Sequence, residues 1–137
     1  MRITTVVLFI LLLAAGLGVY QRQKHQGRDN AAQAAALSEA LTMQARVSEQ
    51  ADLYFLREGR WPASHEALRL PPPESWASAQ LRSLTLEEAG RVVVAFQRFP
   101  QVPDAWVRSV SEAGHRRCET NIPFIDRFAT GCRYVRL

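Results

Sequence analysis

One uninterrupted apolar run constrains this chain more than any other feature. Residues 3–20 read ITTVVLFILLLAAGLGVY and contain no charged side chain. An apolar run of roughly 18 residues is at the short end of what crosses a bilayer as an α-helix. It can be an uncleaved membrane anchor, a cleaved signal sequence or the core helix of a globular protein. The length of the run favours the anchor, a single-pass membrane helix.

Basic side chains flank the run, and more of them follow it than precede it. Arg2 comes before the run, and Arg22, Lys24 and Arg28 come after it. Cytoplasmic flanks of membrane helices are enriched in Lys and Arg, so these charges predict that the rest of the chain stays in the cytoplasm. The net charge of +4 permits weak attraction to polyanions without demanding it.

The two cysteines, Cys118 and Cys132, indicate the opposite topology. They stand close together near the end of the chain, without a CxxC motif or a histidine pair at metal-ligand spacing. This pattern favours a disulfide, which persists in oxidising compartments. The alternative is a pair of reduced cysteines buried in a cytoplasmic domain. Closing a loop of this length would stabilise the domain by about 3 kcal/mol.

A long helix with one apolar face is predicted over residues 30–58. The segment contains neither Gly nor Pro and is rich in strong helix formers. Asp29 stands where an N-cap would, and Gly59 and Pro62 would end the helix. The apolar face comprises Ala36, Ala40, Met43, Val47, Ala51 and Tyr54. Spacings of three and four residues predict that this stripe packs against the rest of the chain.

The remainder of the chain predicts a small antiparallel sheet. Consecutive prolines at 71–73 form a stiff loop that cannot be helical. Runs of alternating or β-branched residues follow, separated by Gly and Pro. The predicted strands are residues 80–86, 91–99, 105–110 and 116–120. A long helix followed by antiparallel strands indicates an α+β fold.

These patterns divide the chain into three predicted parts. Residues 1–20 are a transmembrane anchor or signal sequence, residues 21–28 a polar linker, and residues 29–137 one globular domain. Gly27 lies in the linker, where we expect a bend or hinge. The globular part is small, so its core is modest and a disulfide would help to hold it together.

Two stretches carry a likeness to a known family. At the helix exit, the aromatic pair Tyr54 and Phe55 is followed by the sequence GRWPAS, which begins at Gly59. Near the end of the chain, CETNIPFIDRFATGCRY forms a cysteine-bounded loop at 118–134. Together, over residues 37–133, these features resemble a type IV pilin or a minor pilin-like protein.

The resemblance implies a fold, a location and a role. The fold would be an N-terminal transmembrane segment and long helix packed on a small antiparallel sheet, with a C-terminal disulfide loop. The chain would be a single-pass protein of the bacterial inner membrane, with its domain in the periplasm or at the cell surface. It would act without catalysis, as a minor or accessory subunit of a type IV pilus or a related secretion, adhesion or DNA-uptake apparatus. Its partners would be other pilin or pilus-assembly subunits, contacted through the N-terminal helix.

The N-terminal residues depart from the family pattern. Pilins have a short basic leader ending in Gly, followed by Phe-Thr-Leu-Ile-Glu at the start of the apolar segment. Residues 1–26 contain no glutamate, and the Gly27-Arg28 pair follows the apolar run instead of preceding it. The resemblance therefore does not extend to leader-peptide processing.

Several side chains are candidates for packing or for binding. We expect Trp61 and Pro62 to fix the helix exit by packing, as large aromatic residues commonly do, in preference to forming a partner surface. Arginines near the end of the chain are candidates for contact with a polyanion such as nucleic acid. They are Arg116, Arg117, Arg127, Arg133 and Arg136. The alternative interpretation of these arginines is a solvated rim around the cysteine loop. Contact with a polyanion would support a different function, that of a free-standing, membrane-anchored periplasmic module that binds DNA or another polyanion on a pilin scaffold.

No catalytic constellation is recognisable in the sequence. His25, His65 and His115 are far apart, and no GxSxG, HExxH or phosphate-binding loop occurs. We therefore expect neither enzymatic activity nor a cofactor, a metal or a small-molecule substrate.

Overall fold

One helix dominates the structure, a computed structural model that describes residues 2–136. Helix α1 runs without interruption over Arg2–Glu58. Met1, at the start of the predicted anchor, and Leu137, at the end of the predicted domain, lie outside the described residues. The expected bend at residues 21–28 is wrong, because this segment is helical throughout. A single Gly27 costs a helix only about 1 kcal/mol, and its Gln, Lys and Arg neighbours are good helix formers.

The chain divides into two compact units within this helix. The first unit ends at Ala32 and the second begins at Gln33. In the first unit, every side chain of residues 3–20 is exposed. This helix is long and apolar enough to cross a membrane, and none of its most apolar stretch is buried by other parts of the protein.

In the second unit, α1 buries one stripe of side chains. The buried residues are Gln33, Ala36, Leu37, Ala40, Gln44, Val47, Ser48 and Ala51. Their spacing of three and four residues matches the period of an α-helix. Met43 and Tyr54, at the borders of the predicted stripe, are only half-buried.

A five-stranded sheet packs against this stripe. Its strands are β1 (Leu81–Leu86), β2 (Val92–Phe96), β3 (Trp106–Glu112), β4 (His115–Thr120) and β5 (Cys132–Tyr134), in that spatial order. Neighbouring strands are antiparallel except β4 and β5, which are parallel, so the sheet is mixed. The α+β fold and the first four strands are confirmed; β5 was not predicted.

The core lies between α1 and one face of the sheet. Strand β2 alternates buried and half-buried residues, so that Val92, Val94 and Phe96 face the helix. Ile122 and Ile125, from the loop between β4 and β5, are also fully buried. Part of the cysteine-bounded loop is therefore core.

Candidate interaction surface

A disulfide joins the last two strands. Cys118 on β4 and Cys132 on β5 face each other in register, with their Cα atoms 4.4 Å apart. The predicted disulfide is thereby confirmed. Because β5 is only three residues long and lies at the sheet edge, the bond supplies a covalent tether where few ladder hydrogen bonds exist.

The end of α1 is closed by an aromatic stack. Gly59, at φ 71°, donates its N–H to Phe55 O at 2.8 Å, which ends the helix. The Trp61 indole then stacks on the Phe55 ring with centroids 4.4 Å apart. Trp61 also covers Gly90 so closely that a Cβ at Gly90 would overlap the indole ring. The next residue, Pro62, is buried. Trp61 and Pro62 thus lie where the helix exit meets the turn between β1 and β2.

Arg116 is the polar centre of the same region. Its Nε and Nη2 donate to the Asp52 carboxylate on α1 at 3.0 and 2.8 Å. Its Nη1 donates to Gly90 O at 2.9 Å and to Ser109 Oγ at 3.2 Å. The guanidinium also lies 5.6 Å from the centroid of the Trp61 ring, a cation–π distance. Every nitrogen of this guanidinium therefore has a partner within the domain.

Arg117 lies on the opposite face of the sheet. It pairs with Glu112 at 2.5 Å and with Glu119 at 3.2 Å. Glu119, in turn, pairs with Arg108 at 2.6 Å. Trp106, on the same face, lies 5.0 Å from the Arg108 guanidinium. Two arginines here share one well-buried carboxylate.

Three of the predicted arginines remain accessible. Arg127 is exposed and lies over the Phe124 ring at 5.2 Å. Arg133 on β5 and Arg136 beyond it are exposed, and neither makes an ion pair with any residue of the described range 2–136. The structure thus separates the five candidates into one that faces the helix, one in a surface ion network and three open to solvent.

Open grooves flank the second half of α1. The larger, about 810 Å³, lies between the helix and the cysteine-bounded loop. It is lined by small and apolar residues that include Leu37, Leu41, Ala45 and Phe128. A second groove of about 480 Å³ continues along the helix from Leu41 to Leu53 and reaches Arg116 and Arg117. Both grooves are open surfaces that lie beside the helix.

Polar anchors that sequence reasoning missed tie α1 to the sheet and to the loop between β2 and β3. Gln33 Nε2 donates to Pro100 O at 2.8 Å, and Gln44 Nε2 donates to Val92 O at 3.2 Å. Both glutamines are buried and lie at helical spacing with the apolar stripe. A glutamine within an otherwise apolar stripe was the sequence signal for these anchors. A buried side-chain amide needs a hydrogen-bond partner, so such a glutamine indicates a hydrogen bond from the helix to the rest of the domain.

His65 has partners on both of its ring nitrogens within the domain. His65 Nε2 accepts the Leu86 N–H at 2.9 Å, while Nδ1 lies 3.0 Å from Pro71 O. Its ring therefore joins the proline loop to strand β1. Within residues 2–136, no group of three or more His, Cys, Asp or Glu side chains could hold a metal ion.

No protein-family model matches the chain, and no curated protein matches it. A long N-terminal helix packed on a small sheet that carries a disulfide is nevertheless a pilin-like architecture.

Proposed function

We propose that this chain is a membrane-anchored, non-catalytic, pilin-like subunit. It would serve as a minor or accessory component of a type IV pilus or of a related secretion, adhesion or DNA-uptake apparatus. It would lie in the bacterial inner membrane, with the disulfide-bonded domain on the periplasmic side.

The observation that carries the proposal is that the two parts of α1 differ in burial. Residues 3–20 of this one helix are uncharged and exposed, whereas the stripe from Gln33 to Ala51 is buried on the sheet. A helix with an unpartnered apolar stretch in water is costly, so a bilayer or neighbouring helices must cover it. The second part, meanwhile, presents a folded domain.

Partner contact would use the exposed face of the helix in the second unit. Ala34 and Ala45 are exposed and border the grooves beside α1, and Leu53 and Leu56 extend the accessible apolar surface toward the helix end. Small residues on a helix let a second helix approach closely. Other pilin-like subunits are the partners that fit this surface.

Site-specific photocrosslinking in the native cell tests this proposal. A photoreactive residue at Ala34 or Ala45 should crosslink the chain to other pilin-like or assembly subunits in the membrane fraction. The same residue at Gln97, which is exposed in the loop after β2, is the matched control and should give little product. Deletion of the chain should reduce piliation, twitching or DNA uptake.

Two results together would overturn it. These are the absence of crosslinks to any assembly component at both helix positions, and unchanged piliation, twitching and DNA uptake in the deletion strain. Crosslinks at Gln97 equal to those at Ala34 and Ala45 would also contradict a role for the helix face.

A second candidate is a membrane-anchored periplasmic module that binds DNA or another polyanion. It is supported by the three solvent-open arginines, Arg127, Arg133 and Arg136. Their replacement by Gln should abolish salt-dependent retention of the chain on DNA, since phosphate contacts release counterions. Arg117 forms ion pairs with two glutamates, so its replacement by Gln should reduce retention on DNA less than replacement of the three open arginines. Retention that does not respond to salt would count against this candidate.

A further inference from the structure

A cluster of basic side chains occupies the helix directly beyond the apolar run. We propose that Arg22, Lys24, His25 and Arg28 form a collar that binds the headgroups of anionic phospholipids. The inference rests on the proposed membrane anchoring of α1 and goes beyond it, because it assigns a lipid class and a binding surface. This group of four residues is called the basic collar below.

The continuity of α1 brings the collar together. In a helix, residues three or four positions apart share a face. Arg22, His25 and Arg28 follow one another at steps of three, and Lys24 and Arg28 are four apart, so all four lie along one side. Their neighbours on the other side are Gln23, Gln26 and Gly27, which carry no charge. The bend or hinge that the sequence predicted here would have interrupted this arrangement.

The basic collar has no ion-pair partner among residues 2–136. All four side chains are exposed, and none makes an ion pair with another residue of the described chain. No Asp or Glu occurs before Asp29. Over these two helical turns, Arg22, Lys24 and Arg28 supply positive charge without a carboxylate between them, and lipid phosphate can supply the counter-anion.

The depth of the collar matches the headgroup layer. At 1.5 Å per residue, residues 3–20 span about 27 Å, close to the roughly 30 Å hydrocarbon core of a bilayer. Residues 22–28 then lie about 3 to 12 Å beyond Tyr20, where phosphate groups are concentrated. Long Lys and Arg side chains reach from the helix to those phosphates.

In the proposed topology, the basic collar must be transferred across the membrane, which is unfavourable for Lys and Arg. Attraction to lipid phosphate offsets this cost. The collar follows the apolar run, as does the disulfide-bonded domain, so in a single-pass protein both are on the same side of the membrane. Lys and Arg disfavour transfer to the non-cytoplasmic side. Each Lys or Arg side chain near an anionic membrane surface is attracted by the lipid charge. This attraction favours a position of the helix in which the basic collar lies in the headgroup layer.

Native mass spectrometry of the full-length protein in detergent tests the collar. The protein is offered equimolar phosphatidylglycerol and phosphatidylcholine, and bound lipid is counted for each. We expect phosphatidylglycerol adducts to exceed phosphatidylcholine adducts by at least ~tenfold. The variant Arg22→Gln/Lys24→Gln/Arg28→Gln should bind the two lipids equally.

A charge-matched control distinguishes lipid binding by the basic collar from a general effect of the protein's net positive charge. The variant Arg46→Gln/Arg60→Gln/Arg98→Gln removes the same net charge from exposed positions of the folded domain and should keep the preference for phosphatidylglycerol. Equal loss in both triple variants, or no preference in the wild-type protein, overturns the inference.

Extraction of cell membranes with alkaline carbonate distinguishes the two levels of failure. If the wild-type chain stays in the membrane but shows no lipid preference, the collar is wrong and the anchoring stands. If carbonate releases the wild-type chain, the anchoring and the collar fail together.

Discussion

The carboxylate of Asp52 on α1 accepts hydrogen bonds from Nε and Nη2 of Arg116 on β4, the shorter of them 2.8 Å long. The Arg116 side chain is only 17% exposed and also donates to Gly90 O. One guanidinium thereby fixes the last turns of the helix, the central sheet and the turn between β1 and β2. We therefore expect Arg116 to contribute strongly to the stability of the domain, because hydrogen bonds that involve a charged group are stronger than those between neutral groups.

Replacement of Arg116 should be strongly destabilising. We expect Arg116→Ala to lower the free energy of unfolding by about 2–4 kcal/mol, since it leaves several acceptors without a donor. Arg117→Ala, the control on the opposite face, should cost less than ~1 kcal/mol, because Arg117 is itself exposed and Glu119 keeps its shorter ion pair with Arg108. Urea unfolding of the full chain in detergent, followed by Trp fluorescence, measures both. Equal small losses would contradict the role of Arg116.

Gly90 should not tolerate a side chain. Its φ is 71°, and a Cβ would overlap the Trp61 ring, so Gly90→Ala combines backbone strain with a steric clash. We expect a loss of about 3 kcal/mol or more. Gly114 is the matched control, because its φ is 80° and the position that a Cβ would take has nothing within 4 Å. Gly114→Ala should therefore cost only the strain, about 1–2 kcal/mol. The same denaturation assay distinguishes the two, and equal losses would exclude a clash with Trp61.

The turn between β3 and β4 should accept a stabilising change. Ala113 and Gly114 have φ values of 51° and 80°, both left-handed, and connect the paired residues Glu112 and His115. Two-residue hairpin turns of this kind favour Asn followed by Gly. We expect Ala113→Asn to raise the free energy of unfolding by about 0.5–1 kcal/mol. The exposed loop residue Ala79, changed to Asn, should show no gain; a similar gain there would refute the conformational explanation.

Loss of the disulfide should loosen β5 before the rest of the sheet. The double variant Cys118→Ser/Cys132→Ser should lose about 3 kcal/mol of stability. Hydrogen exchange of the Val135 amide, which donates to Thr120 O, should accelerate more than exchange of the Val94 amide in β2. Uniform acceleration at both amides would show that the bond stabilises the whole domain and not specifically its edge.

Much of the fold was accessible from sequence periodicity. The three- and four-residue spacing of α1 and the β-branched run in β2 both reflect burial against a single core, so local pattern and tertiary packing agreed. The short strand β5 was not predicted, because three residues carry little pattern and its pairing with β4 is parallel, across the whole cysteine-bounded loop. Residues 21–28 were misread because a single Gly27 weighed more than the helix propensity of its neighbours.

The candidate site was only partly predictable, and Arg116 shows why. On a strand, residues two apart share a face, so Arg116 had to lie on the same face as Cys118 and Thr120. That face turned out to be the inner one, and composition alone gave no reason to separate Arg116 from Arg117. The partner, Asp52, lies 64 residues earlier in the chain, and only the folded structure brings the two together.

The loop enclosed by the Cys118–Cys132 bond is suited to the insertion of a foreign peptide. The first half of the enclosed loop is committed to the core through Ile122 and Ile125, whereas Ala129 is exposed. Since the disulfide holds the loop ends with Cα atoms 4.4 Å apart, a peptide inserted after Ala129 would lie inside a covalently closed loop. Foreign sequence could thus be displayed as a constrained ring while the sheet beneath it keeps its register.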